Sequence, residues 1–396
     1  MQNIKKTVKM RMNIIIRVII RNLLKVLWIF PVKKDRFMFQ SHDSAENYNC
    51  NPRYISDYFR KKYPGQFELI WSFKTPRRYR NVKGIKPVKK YSAKWFFYMI
   101  TAKVVVYNAT PVTFIPKRKS QMVIETWHGG GAYKRTGYAS KKDKLDIWRT
   151  KQLANYVDVF LSSSEKFTDV HIKQSYHFEG EILNSGMPRN DCLVNEKQRS
   201  YYNGKIRGKY GIEGKIILYA PTFRGYLMSS GKIDTELPYS EIMEAFRKRF
   251  NEPVYILRRF HHHDKNEYED IEGVIDVSDY PEMQELLCAA DVLITDYSSS
   301  IWDFSLTERP CLLFVPDIEE YETGDRGFYT DPEEWAGILC KTKEELLEAA
   351  EGLDIDKCKE KAVMHRNNLG SYDKGTATVQ VAERMIRFMR GSKADR

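Results

Sequence analysis

Residues 125–134 read Glu-Thr-Trp-His-Gly-Gly-Gly-Ala-Tyr-Lys, a strand running into a glycine turn. Glycines let backbone N–H groups approach a ligand, and a histidine at such a turn carries a base that titrates near neutrality. His128 could therefore project into a cleft as a base; the plainer reading is a structural histidine. A second segment, Tyr219 to Arg224, ends a strand and offers the Thr222 hydroxyl and the Arg224 guanidinium. A third, Leu257-Arg258-Arg259-Phe260-His261-His262-His263-Asp264, joins cations to three histidines. Consecutive histidines cannot all face one centre and no second ligand cluster accompanies them, so a solvated loop competes with a cleft residue, for which His261 is the candidate. The fourth, Thr295-Asp296-Tyr297-Ser298-Ser299-Ser300, stands between a strand and an amphipathic helix. Its serines would cap free N–H groups, and those same groups could hold a diphosphate. Together these segments read as machinery for phosphate chemistry at the ends of strands.

Such positions require parallel sheets, in which ligands bind beyond the carboxyl ends of the strands. Short β-rich runs at 36–40, 67–72, 102–107, 121–126 and 157–162 alternate with helical stretches such as 52–62. After a polar stretch at 195–214, which reads as a connection, further runs follow at 216–220, 254–258, 274–277, 292–295 and 311–315, with helices at 239–250 and 281–290 between them. The pattern predicts an α/β chain of two doubly wound Rossmann-like domains facing a cleft. The expected divisions are an amino-terminal amphipathic helix over 1–34, a first Rossmann-like domain over 35–205, a second over 206–372, and a carboxyl-terminal helix and tail over 373–396.

The chain's net charge of +13 hides an asymmetry: residues 1–150 carry 33 Lys and Arg against 8 Asp and Glu, a net +25, and the remainder nets −12. A polyanion would be drawn to the front half, whether lipid, nucleic acid or a phosphate-rich polymer. Nucleic acid explains the charge but none of the strand-end motifs. Six scattered cysteines without a CxxC pair suggest neither a zinc ribbon nor a disulfide scaffold, and suit a reducing cytoplasm. From Ile14 to Phe30 the chain is strongly apolar, yet Lys5, Lys9, Asn13, Arg17, Arg21 and Lys25 recur every four residues. Spanning a bilayer would bury cations at roughly 2.5–3.5 kcal/mol each. Lying in the interface avoids this, with Trp28 and Phe30 in the acyl boundary and the cations on anionic headgroups; packing on the chain's own domain is the alternative.

In order and spacing the chain resembles the CDP-glycerol glycerophosphotransferase family of teichoic acid primases and polymerases. The resemblance rests on Thr126-Trp127-His128-Gly129, Gly186-Met187-Pro188-Arg189-Asn190-Asp191, Tyr219 to Arg224, Thr295 to Ser299 with Asp303-Phe304, and Pro316-Asp317 through Glu319, Glu320 and Tyr321 to Arg326-Gly327-Phe328-Tyr329, with a weaker echo at Asn51-Pro52-Arg53. It departs at Gly130-Gly131-Ala132, where many members have Thr-Pro-Leu, and in the His-rich loop; both flank the presumed substrates. The resemblance implies a fold like that of B-type glycosyltransferases and the transfer of a polyol phosphate, most simply glycerol phosphate, from CDP-glycerol or another CDP-polyol to a hydroxyl of a lipid-linked teichoic acid or capsule-type acceptor. CMP is released. His128 and His261 would be catalytic; Thr222, Arg224, Arg258 or Arg259, Thr295, Asp296, Ser298 and Ser299 would hold the donor; and Gly129, Gly130, Arg189, Asp191 and Arg326 would line the acceptor side. No cofactor and no metal are expected, and the enzyme would sit on the cytoplasmic face of the membrane. A sugar-nucleotide glycosyltransferase or epimerase of the same fold, or a polyanion-binding protein on a decayed scaffold, are the competing readings.

Overall fold

A computed structural model of the chain describes residues 2–41, 47–109, 111–140, 144–222, 237–260, 270–324 and 327–391. Two fully parallel sheets organise it. The first contains β1 (Lys33–Gln40), β2 (Glu68–Phe73), β3 (Lys86–Lys89), β4 (Ala102–Tyr107), β5 (Met122–Glu125), β6 (Val159–Leu161) and β7 (Glu181–Leu183), in the order β3-β2-β1-β4-β5-β6-β7. The second contains β8 (Lys215–Tyr219), β9 (Val254–Arg258), β10 (Val274–Asp276), β11 (Val292–Thr295), β12 (Cys311–Phe314) and β13 (Ile338–Cys340), in the order β10-β9-β8-β11-β12-β13. Chain direction across each sheet reverses at its first strand, so crevices open at the carboxyl ends of β1/β4 and β8/β11.

Side-chain alternation explains why each sheet is covered on both faces. Phe37, Phe39, Trp71, Val104 and Val106 point to one face, against Ile55 and Phe59 of the helix Cys50–Lys62. Met38, Ile70, Val105 and Val123 point to the other, against Trp95 and Met99 of the helix Ala93–Thr101. In the second sheet Leu218, Leu257 and Leu293 meet Leu286 and Leu287, while Ile217, Ile256 and Ile294 meet Ile242 and Phe246. Strands buried on two faces read as continuous apolar runs, which is how the sequence presents them.

The polar stretch expected to be a connection is mostly a helix, Glu196–Tyr210, capped by the Asn195 side chain and ended by Gly211 in the left-handed conformation. Its Ile206 is buried with the second sheet's core, so residues 196–205 belong to the second domain and the boundary expected at 205/206 falls inside the helix. The chain crosses near Gly186–Asn195 and returns at Ser371–Asp373, where Tyr372 N–H donates to Ser163 O at 2.8 Å. The final helix, Ala377–Arg390, then packs Val381, Ala382 and Met385 beneath the first sheet.

The amino-terminal helix spans Gln2–Leu24 and continues as a 3-10 turn, Lys25–Ile29. Leu24 and Leu27 rest against the first core, and Arg118 donates from Nη2 to Leu27 O at 3.2 Å and Phe30 O at 2.6 Å. Ile15, Ile16, Val18, Ile19, Leu23 and Val26 remain exposed. Among the described residues no helix is long and apolar enough to cross a membrane.

Candidate functional site

His128 lies three residues beyond the end of β5, on a turn that places Trp127 at φ +56°. That left-handed conformation costs a residue with a Cβ roughly 1–2 kcal/mol, so neighbouring groups must hold it. Glu125 accepts the Trp127 N–H at 2.9 Å, and Asn51 Nδ2 donates to Trp127 O at 3.0 Å and Thr126 O at 3.3 Å. His128 Nδ1 lies 2.8 Å from Asn108 O, just past β4. A carbonyl only accepts, so Nδ1 carries the proton and the lone pair resides on Nε2. The imidazole is in the tautomer a general base needs.

The glycines that follow are places of close approach between the two domains. A Cβ at Gly129 would lie 2.8 Å from Ser299 Cβ, and one at Gly130 would lie 2.1 Å from Trp302 Cδ1. Neither space admits a side chain. Tyr133 then enters the second domain's core, where its hydroxyl is 2.8 Å from His365 Nε2. His365 gives its Nδ1 proton to Glu334 O at 2.8 Å, and burial holds this imidazole down at about 4, so it is neutral and Nε2 accepts from Tyr133. Arg135 N–H donates to Gly327 O at 3.1 Å and Tyr329 N–H to Tyr133 O at 2.8 Å, tying the glycine turn to the Gly327-Phe328-Tyr329 motif. Gly129, next to His128, thereby meets the half-buried Ser299.

Of the second domain's predicted residues, Thr222, Thr295, Asp296, Ser298 and Ser299 stand at the β8/β11 switch point. Asp296 accepts Thr222 N–H at 2.9 Å and Thr222 Oγ1–H at 3.0 Å, and Thr295 Oγ1 donates to Ala220 O at 2.6 Å. These bonds pin the segment after β8 to the end of β11. Ser298 Oγ accepts from Ser300 N–H at 3.2 Å and Ser300 Oγ–H at 2.9 Å at the start of a helix of only six residues, Ser300–Ser305, whose N-cap residue Ser299 makes no side-chain capping bond. Arg258 is buried, 3.8 Å from Asp276 and 5.7 Å from the Tyr239 ring centroid. Arg259 points to the opposite side, donating to Tyr280 O at 2.5 Å. Arg224, His261 and Arg326 lie outside the described residues.

Two residues expected on the acceptor side have structural partners. Arg189 is buried and pairs with Asp303 of the second domain at 2.5 Å. Asp191 accepts Ala377 N–H at 2.9 Å and Thr378 N–H at 2.8 Å, capping the final helix; burial raises its carboxyl and these donors oppose the rise. Cross-domain charges extend this seam: Arg53 meets Glu282 at 3.2 Å and Glu285 at 2.8 Å. Asn108 was not singled out from the sequence, although its place directly after β4 was the available signal.

The family model for CDP-glycerol:poly(glycerophosphate) glycerophosphotransferase matches residues 22–387. A teichoic acid poly(glycerol phosphate) polymerase of Bacillus spizizenii is 31% identical over 91% of this chain and 94% of that protein. One of Bacillus subtilis is 34% identical over 87% of this chain, which spans only 47% of that longer relative. A solved structure of the wall teichoic acid polymerase TagF, soaked with CDPG, superposes with a TM-score of 0.79 at 28% identity over 98% of both chains.

Proposed function

The chain belongs to the CDP-glycerol:poly(glycerophosphate) glycerophosphotransferase family, and we propose how its residues divide the transfer of glycerol phosphate from CDP-glycerol to a teichoic acid acceptor. A terminal hydroxyl of a lipid-linked acceptor enters from the first domain and gives its proton to His128 Nε2. Its oxygen attacks the β-phosphorus of CDP-glycerol, the bond to the bridging oxygen breaks, and CMP leaves as the phosphodiester forms. The observation that carries this reading is the His128 tautomer, set by Asn108 O, on a glycine turn seated against Ser299 and Trp302. Ser298, Ser299, Thr222 and Arg259 flank the diphosphate from the second domain, with Arg224 and His261 completing its charge. Arg258 supports them from beneath. Positioning and electrostatics supply most of the rate in phosphoryl chemistry. Incubating the purified chain separately with CDP-glycerol, CDP-ribitol and UDP-sugars, plus a teichoic acid primer, tests it: CMP release with CDP-glycerol and a product heavier by glycerol phosphate is expected. UDP release, or no nucleotide product, overturns the reading.

We further propose that the amino-terminal helix docks peripherally on the anionic cytoplasmic leaflet. Its exposed apolar side supplies area for insertion, and Lys5, Lys6, Lys9, Arg11, Arg17 and Arg21 add attraction of about 1 kcal/mol each near such a surface, less when screened. Removing residues 1–23 spares Leu24 and Leu27, which pack on the body. The truncated enzyme is expected to leave the pellet with anionic vesicles while still using a soluble primer analogue. Complete co-sedimentation of the truncated chain at moderate salt would assign docking to the basic first domain instead.

A further inference from the structure

Glu125 ends β5 inside the protein, with no measurable exposure. Its oxygen Oε1 accepts the Trp127 N–H at 2.9 Å, closing a short ring across Thr126. Trp127 is the residue held at φ +56°, and its indole stacks on the His128 imidazole with ring centroids 4.7 Å apart. The carboxyl group therefore grips the peptide from the strand side, while Asn51 grips its carbonyl from the helix Cys50–Lys62. We propose that Glu125 is a positioning residue for the transfer, working as a neutral carboxylic acid whose carbonyl oxygen holds the Trp127 turn and so aims His128 at the acceptor hydroxyl.

Physical chemistry favours the neutral form. Burial pushes this carboxyl well above its ordinary range, with the single Trp127 N–H opposing the rise. An ionised carboxylate buried without a counter-charge is costly, and the group takes up a proton instead. A strand end buried on all sides needs only one acceptor for the turn, which serine or alanine could not supply at this reach. A glutamine could. Its amide oxygen accepts the same N–H, and its NH₂ group occupies the place of the protonated oxygen with the same donor character.

The inference rests on His128 as the base, and its test separates the two. Glu125→Gln and Glu125→Leu are made in the full chain, and kcat, KM for CDP-glycerol and the pH–rate profile are measured with a teichoic acid primer. Glu125→Gln is expected to keep wild-type turnover and an unchanged pH profile. Glu125→Leu removes the acceptor, and misaiming a reacting group by an ångström can cost on the order of 10²-fold; its kcat should fall roughly 10- to 100-fold while KM for CDP-glycerol stays put. A folded Glu125→Leu enzyme with normal turnover overturns the positioning role. Glu125→Gln as damaged as Glu125→Leu overturns the neutral-acid role, because only an anion would then serve. Should Glu125→Leu fail to fold, Glu125→Gln decides alone, by full activity or its loss. If His128→Ala proves active, the base assignment fails, whichever way the Glu125 variants behave.

Discussion

In a His128→Ala enzyme, turnover with CDP-glycerol and primer is expected to fall at least about 10²-fold, the contribution of a well-placed general base. CDP-glycerol affinity by calorimetry should stay close to wild type, because His128 belongs to the first domain and the donor is assigned to the second. Loss of a group used only in the transition state lowers kcat and kcat/KM together. The limb of the pH–rate profile that reports protonation of the base should disappear as well. Stability should change little: the imidazole is half-buried and its bond to Asn108 O contributes about 1 kcal/mol. A folded variant with wild-type turnover would remove His128 from the mechanism. Equal loss of CDP-glycerol affinity and turnover would make it a donor ligand.

The strands that bury both faces were legible from the sequence because a two-sided interior demands an uninterrupted apolar run. β4, β9 and β11 begin and end where their runs do, at Ala102–Tyr107, Val254–Arg258 and Val292–Thr295. β3 and β7 were missed for the complementary reason. They are edge strands of three or four residues, and Lys-Pro-Val-Lys at Lys86–Lys89 or half-exposed Glu181–Leu183 carry no such run. In the site, the same logic separates what spacing can reveal from what it cannot. His128, Thr222 and Ser298 each stand three residues past a strand, which is why the carboxyl-end rule selects them as candidates. Arg189 and Asp191 sit in an equally dense polar motif, but their partners are 114 and 186 residues away. Only the tertiary fold shows that one closes the seam between domains and the other caps a helix.

Arg189→Met should accordingly damage stability before it touches chemistry. Arg189 and Asp303 are 7% and 2% exposed, and their charges meet at 2.5 Å between the crossing segment and the second domain. Gln284 Nε2 adds a bond to the same Asp303 oxygen at 3.1 Å. Burial raises the Asp303 carboxyl, and the Arg189 charge is the principal opposing influence. Removing the arginine leaves a buried carboxylate uncompensated, a change that costs about 3–5 kcal/mol. The deficit must depend on pH in a defined direction. Without Arg189 the folded Asp303 pKa rises further above its unfolded value, so the folded state holds a proton that the unfolded chain releases. Stability from that proton is fully present below the unfolded carboxylate range and is lost as pH rises through the raised folded value. Denaturant unfolding should therefore show a modest penalty near pH 4 and the full penalty near pH 8. Adding Asp303→Asn removes the stranded charge while keeping an acceptor for Gln284, and should recover much of the loss and flatten its pH dependence. A penalty that is small at every pH, or one that the second substitution deepens, would mean that the pair contributes little and that Arg189 is available to substrate.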